Sequence, residues 1–251
     1  DEFHERSVHA DLALAFLKEA MSLRDDLFVI IMSATINSKR IAEFLSQPAA
    51  PIMEIPGRQF PVEIIYKDKI SVKNAVLEEF SQSINDRSLV KNQNRTDTIL
   101  VFLPGIAEIN NLRSELENSL SSTEAEILTL HSSIPLSEQK KILSEVSISS
   151  PRRIILSSSI AETSLTVPGV TTVIDSGLSR INKMNVSLGM ERLVTEKVSQ
   201  FSADQRAGRA GRLMSGRCVR LWSKFDILNS EIQPEILRCN LASLVLECAK
   251  W

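Results

Sequence analysis

Thr98-Ile99-Leu100-Val101-Phe102-Leu103, or TILVFL, is almost wholly apolar and stops at Pro104-Gly105. It reads as a strand, and the residues after it, about 105–120, read as a helix. Working outward, strands are expected at Val62–Tyr66, Glu126–Leu130, Arg153–Ser157 and Val170–Ile174, and helices at about 71–85 and 136–146. Strands separated by helices of this length argue for a parallel sheet built from βαβ units, hence an α/β fold. Polar or serine-rich pieces at Asp86–Asp97, Ser119–Thr123 and Ser147–Ser150 read as surface loops.

A similar alternation precedes this block. Apolar residues at Val8, Leu12, Ala15, Ala20 and Leu23 predict an amphipathic helix over 8–24. Phe28–Met32 is a continuous apolar run of the kind buried on both faces of a parallel sheet. It ends in Ser33-Ala34-Thr35, where ligand-facing loops or plain turns occur. Asn37 or Ser38 caps a helix through Leu45. Pro48, Pro51, Pro56, Gly57 and Pro61 punctuate the next segment, with a short strand expected at Ile52–Ile55 and a domain boundary near residues 57–62. Downstream, residues 177–198 predict a hairpin about Gly189, Arg217–Leu221 a last strand, and Pro234–Trp251 a helix.

With 43% hydrophobic and 24% charged residues, the composition is that of a water-soluble globular chain. No apolar run is long enough to predict a membrane span. Cys218, Cys239 and Cys248 have neither the number nor the spacing of a disulfide framework or a zinc site, which fits a reducing, cytoplasmic setting. The chain starts on a charged DEFHER without an initiator Met or signal peptide, and so reads as a piece of something longer. The net charge of -2 is unevenly spread. Residues 1–26 hold seven acidic and three basic side chains, whereas 176–224 hold ten basic and three acidic. Such an acid–base division suits a metal–phosphate ligand.

The most informative basic stretch is Gln205–Arg212, QRAGRAGR. As a helix it puts Gln205, Arg209 and Arg212 on one face and turns Arg206 elsewhere. Two guanidinium forks and an amide suit an anion rich in oxygens, such as a nucleotide γ-phosphate. Gly208 and Gly211 make sense where a backbone or ligand comes close. At the other end, the adjacent carboxylates of Asp1 and Glu2 suit a hydrated Mg²⁺ and an attacking water, with His4 as a relay. So short a motif is also what an exposed acidic terminus would show. Ser157–Thr166, rich in hydroxyls, suits nucleic-acid phosphates without base readout, or a simple turn.

Together these pieces resemble the DEAH-box branch of superfamily 2 RNA helicases, most closely its bacterial HrpB-type members. The resemblance rests on DEFHERS at Asp1–Ser7, SAT at Ser33–Thr35, ILVFLPG at Ile99–Gly105 and LHSSIPLSEQ at Leu130–Gln139. It continues through IAETSLT at Ile160–Thr166, DSGLSR at Asp175–Arg180, QRAGRAGR at Gln205–Arg212 and PEILRCNLASLVL at Pro234–Leu246. Eight pieces occur in family order across nearly the whole chain.

The resemblance implies the C-terminal part of a first RecA-like domain over 1–60, a second RecA-like domain over 61–225, and the start of a winged-helix domain over 226–251. It implies ATP and Mg²⁺ as ligands and RNA as partner, in a monomer that uses ATP hydrolysis to move on or remodel RNA. Asp1 would serve the metal and Glu2 the lytic water. His4 would link the nucleotide site to the second domain, Ser33 and Thr35 would couple hydrolysis to domain movement, and Gln205 would help position the water. Arg209 and Arg212 would be arginine fingers, and Gly105, Thr163, Ser164 and Thr166 would touch the RNA backbone. Ser158-Ser159 stands where relatives usually carry Thr-Asn, and Pro168 where many carry an acidic residue. No GxxxxGK[ST] occurs, so the chain alone is expected to hydrolyse ATP poorly. The alternatives are an RNA-binding module whose ATPase has decayed, and a translocase of the same superfamily acting on DNA.

Overall fold

The computed structural model describes residues 1–34, 38–55, 57, 60–89, 97–144, 151–163 and 165–250, with backbone alone over 83–89. Thr35 and Ser164 therefore lie outside the described residues. In chain order the elements are α1 (Val8–Leu23), α2 (Ser38–Leu45), β1 (Val62–Tyr66), α3 (Val72–Leu89), β2 (Thr98–Phe102), α4 (Ile106–Glu117), β3 (Ala125–Leu130), α5 (Leu136–Leu143), β4 (Arg152–Ser157), β5 (Val170–Asp175), β6 (Leu178–Asn185), β7 (Met190–Lys197), α6 (Gln200–Gly208), β8 (Gly216–Arg220) and α7 (Ala242–Lys250).

Six strands form one sheet in the order β1-β8-β5-β2-β4-β3, and every pairing is parallel. The α/β class read from the sequence is therefore correct. Strand β2 lies in the interior of the sheet and all five of its residues are buried. Its alternation divides the core. Ile99 and Val101 face a cluster with Ala75, Val76 and Phe80 of α3 and Ile109, Leu112 and Leu116 of α4. Leu100 and Phe102 face the opposite cluster, with Ile142 of α5 and Ala207 of α6. Each such aliphatic side chain contributes roughly 1.5–3 kcal/mol on burial, so two covered faces explain why this strand carries no polar face.

The registers align the carboxyl ends of all six strands. Tyr66 pairs with Arg220, Arg220 with Asp175, Asp175 with Phe102, Phe102 with Ser157, and Ser157 with Leu130. This row is the edge where open α/β sheets place their ligands.

Two compact units are present. One comprises Asp1–Gly57, Asn182–Val194 and Ile232–Trp251, and the other Arg58–Ile181 and Thr195–Glu231. The sheet belongs to the second. The expected hairpin is formed by β6 and β7 as a separate two-stranded sheet.

Two expected strands are absent. Phe28–Met32 has no regular structure, and Phe28, Ile30 and Met32 are 88%, 81% and 52% exposed. Met32 O accepts from Phe3 N at 3.1 Å, but no described strand runs beside the segment. An apolar run becomes a parallel strand only where neighbours supply a ladder. Ile52–Ile55 differs for the same reason, with Met53 and Ile55 largely exposed. The helix expected over Pro234–Trp251 is divided into a short turn at Glu235–Leu237 and α7. Asn240 starts the second piece afresh by accepting from Ala242 N at 2.9 Å.

Candidate functional site

In the first unit, Glu2 and Arg6 adopt left-handed conformations, with φ of 53° and 49°, and bracket a single turn at Phe3–Glu5. Non-glycine residues rarely sit there, at a cost of roughly 1–3 kcal/mol each, so the surroundings must hold them. Asp1 is exposed, and its Oδ1 accepts from Glu2 N at 2.8 Å. His4 is buried at 4% exposure. Its Nδ1 accepts from Ala34 N at 3.3 Å and lies 3.3 Å from Ser33 Oγ. A main-chain N–H donating to Nδ1 leaves the neutral ring's proton on Nε2. That nitrogen stands 3.1 Å from Glu2 Oε2. A chain of contacts thus runs from Ser33-Ala34 through His4 to Glu2, and the fold brings together three residues selected from the sequence, Glu2, His4 and Ser33, from two separate motifs.

In the second unit, Ser199 caps α6 by accepting from Ser202 N at 3.1 Å, and after Gly208 the helix tightens into a turn at Arg209–Gly211. Gln205 is half-buried, Arg209 is buried and Arg212 is exposed. Arg209 donates to the carbonyls of Leu165, at 2.9 Å, and of Glu162. Arg212 donates to Thr166 Oγ1. Both arginines therefore bond to the loop that holds Thr163 and Thr166, the one half-buried and the other exposed. Gly105 is buried beneath Arg180, whose Nη1 would lie 2.7 Å from an added Cβ, and Arg180 in turn donates to Glu108 at 2.8 Å.

Sequence reasoning did not assign a role to Arg206. It is the largest fully buried side chain of the described residues. Its Nε donates to Glu162 Oε2 and its Nη1 to Asp175 Oδ1, both at 2.9 Å, and the guanidinium lies 4.9 Å from the Phe102 ring centroid. Burial opposes its charge, yet the carboxylates of Asp175 and Glu162 outweigh that and raise its pKa above the ordinary value. A signal was present: Ala203, Ala207 and Ala210 are buried at helical spacing, and Arg206 lies among them. The carboxylate partners, 44 and 31 residues away, gave none.

Residues 73–214, more than half of the chain, match the family described as the helicase conserved C-terminal domain. The chain belongs to that helicase family. It is 41% identical over 249 residues to the ATP-dependent RNA helicase HrpA of Escherichia coli, covering 98% of this chain and 19% of HrpA. It is 36% identical over 257 residues to the ATP-dependent RNA helicase HrpB of the same organism, covering 100% of this chain and 30% of HrpB. A crystal structure of the Escherichia coli DEAH/RHA helicase HrpB superposes with a TM-score of 0.83 at 36% identity, over 100% of this chain and 31% of that one. The chain thus spans less than a third of each of these relatives. Gly105, Thr163, Gln205, Arg206, Arg209 and Arg212 fall inside the helicase match. Asp1, Glu2, His4 and Ser33 lie before it. No helix among the described residues is long and apolar enough to cross a membrane.

Proposed function

We propose that this chain is part of a DEAH-box, ATP-dependent RNA helicase that couples Mg-ATP hydrolysis between two RecA-like domains to movement on, or remodelling of, RNA. Residues 1–60 would close the first RecA-like domain, 61–225 would form the second, and 226–251 would begin a winged-helix domain. The observation that carries the reading is the bonding of Arg209 and Arg212 to the 162–166 loop. It ties the side chains suited to a γ-phosphate to the residues suited to an RNA backbone.

In this reading Glu2 orients or deprotonates the attacking water, and His4 packs its Nε2 3.1 Å from the Glu2 carboxylate. Magnesium would be held by Asp1, whose exposed carboxylate offers the hard oxygen that a cation keeping most of its waters requires. Among the described residues no three His, Cys, Asp or Glu side chains cluster, so phosphate oxygens and water would complete its coordination. When bound, it would neutralise charge on the phosphate oxygens. Arg212, at the surface, would exchange its bond to Thr166 Oγ1 for one to an anion. Arg209 must exchange its carbonyl partners, which makes its availability depend on the loop. Gln205 helps position the water. Thr163, Ser164 and Thr166 take RNA phosphates without base readout, and the Gly105 main chain would be a further RNA contact only where the Arg180 side chain that covers it moves aside.

The test is RNA-stimulated ATP hydrolysis by the full-length protein. Glu2→Gln and Arg209→Ala should each abolish most of it, finger arginines being worth about 10³–10⁵ in rate in phosphoryl-transfer enzymes. Unchanged turnover in both variants refutes the proposal. Stimulation by DNA equal to that by RNA would instead favour a DNA translocase.

A further inference from the structure

We propose that Glu235 is a positioning residue for the Glu2–His4 pair, an inference that rests on the hydrolytic role proposed above. The first turn of a helix leaves its N–H groups without intrahelical partners. At α1, Ser7 Oγ accepts from Ala10 N at 3.2 Å. The Val8 N–H is taken by a residue 227 positions away, donating to Glu235 Oε2 at 2.9 Å. Glu235 N in turn donates to Arg6 O at 2.9 Å. One residue thus satisfies a donor and an acceptor on either side of Ser7, as a reciprocal cap does within a single helix. All of these groups belong to the same compact unit.

The clamp acts where the acidic motif is most constrained. Arg6 is left-handed, its N donates to Phe3 O at 3.1 Å, and its guanidinium is bidentate on Asp11 at 2.9 and 3.3 Å. Fixing Arg6 O therefore fixes the end of the Phe3–Glu5 turn that points His4 at Glu2. The Glu235 segment is itself anchored. Arg238 Nη1 donates to Asn182 O at 2.8 Å, Met184 N to Arg238 O at 2.6 Å, and Asn240 N to Glu191 Oε1 at 2.7 Å. The base of the clamp is thus the outer part of the β6–β7 hairpin, rather than the free end of a loop. A carboxylate at a helix N-terminus is also favoured by the helix dipole.

The experiment compares full-length wild type with Glu235→Ala and Glu235→Gln. The Ala variant should lose about tenfold in kcat for RNA-stimulated ATP hydrolysis with KM for ATP nearly unchanged, and Gln, which keeps an acceptor oxygen, should restore most of the rate. Amide exchange at Val8 should accelerate about tenfold in the Ala variant while amides of the six-stranded sheet keep their protection. An unaltered kcat, or a loss that Gln does not rescue and that accompanies sheet-wide loss of protection, overturns the positioning role. Unchanged exchange at Val8 overturns the clamp itself. Wild type that lacks RNA-stimulated hydrolysis while the Val8 effect persists would instead sink the helicase reading and leave the clamp standing.

Discussion

Arg206 Nη1 lies 2.9 Å from Asp175 Oδ1, and both side chains are wholly shielded from solvent. Asp175 ends β5 and sits beside Phe102 in the carboxyl-edge row, so the ion pair fastens α6 to the strand ends. Glu162 adds a second carboxylate and carries the loop carbonyl to which Arg209 bonds. One fully buried arginine thereby supports the loop and the helix of the candidate site together.

Arg206→Ala should destabilise the protein by about 3–5 kcal/mol, because it strands two buried carboxylates. Arg206→Lys should recover only part of this, since a lysine cannot present two donors in a planar fork. Denaturant titration gives both values, and a loss below about 1 kcal/mol for Arg206→Ala would contradict the structural role.

Gly208 and Gly211 should respond in opposite directions to alanine. A Cβ at Gly211 would meet Phe60 O at 2.6 Å, whereas one at Gly208 meets nothing within 4 Å. Gly208 also has an ordinary right-handed conformation, with φ of -57°. Gly211→Ala should cost about 1–3 kcal/mol, the usual range for overpacking. Gly208→Ala should stabilise by about 0.4–1 kcal/mol. Thermal melts of the two variants check the contrast.

Cys218 predicts a pH dependence at the alkaline end. Burial, aided by the charge of Asp175, pushes its thiol up from 9.0 to about 12. The native state then keeps a proton that the unfolded chain releases, so this contribution is intact below about pH 9 and is lost as pH rises toward 12. The slope is about 1.4 kcal/mol per pH unit across that window. Cys218→Ala should flatten the alkaline arm of the stability profile relative to wild type; parallel profiles would exclude the effect.

The thiols should also differ in reactivity. Cys248 is exposed and Cys218 is buried. At neutral pH an alkylating reagent should label Cys248 rapidly and Cys218 only after unfolding, because the thiolate is the reactive form. Peptide mass mapping over time distinguishes the two.

Arg209→Lys separates charge from geometry in the proposed hydrolysis. The guanidinium bonds two carbonyls of one loop through two separate nitrogens, a fork that an ammonium with its donors on one nitrogen does not match. RNA-stimulated turnover of the full-length lysine variant should fall nearly as far as that of Arg209→Ala. Retention of more than about a third of wild-type turnover would mean that charge alone suffices.

Local chemistry was enough to place most elements. TILVFL, RRIILS and VTTVID carry their strand character in their own residues, and DEFHERS and QRAGRAGR carry donors and acceptors dense enough to be selected without a structure. The runs at Phe28–Met32 and Ile52–Ile55 show the limit of that reasoning. Strand propensity is local, but a ladder needs a neighbour, and no described strand adjoins either segment. Arg206 shows a related limit. Helical spacing turned it away from Arg209 and Arg212, but only the tertiary fold brought Asp175 at the end of β5 and Glu162 of the loop after β4 to it.

The sequence by itself determined the α/β alternation, the apolar strands and the two charged motifs, because periodicity and side-chain chemistry act over a few residues. The tertiary structure decided that Arg206 is buried, that Arg209 and Arg212 bond to the 162–166 loop, and that Glu235 caps a helix 227 residues earlier in the chain. Those outcomes depend on which distant carboxylates and carbonyls remain unsatisfied after packing. A buried donor must find such a partner in space, wherever it lies in sequence.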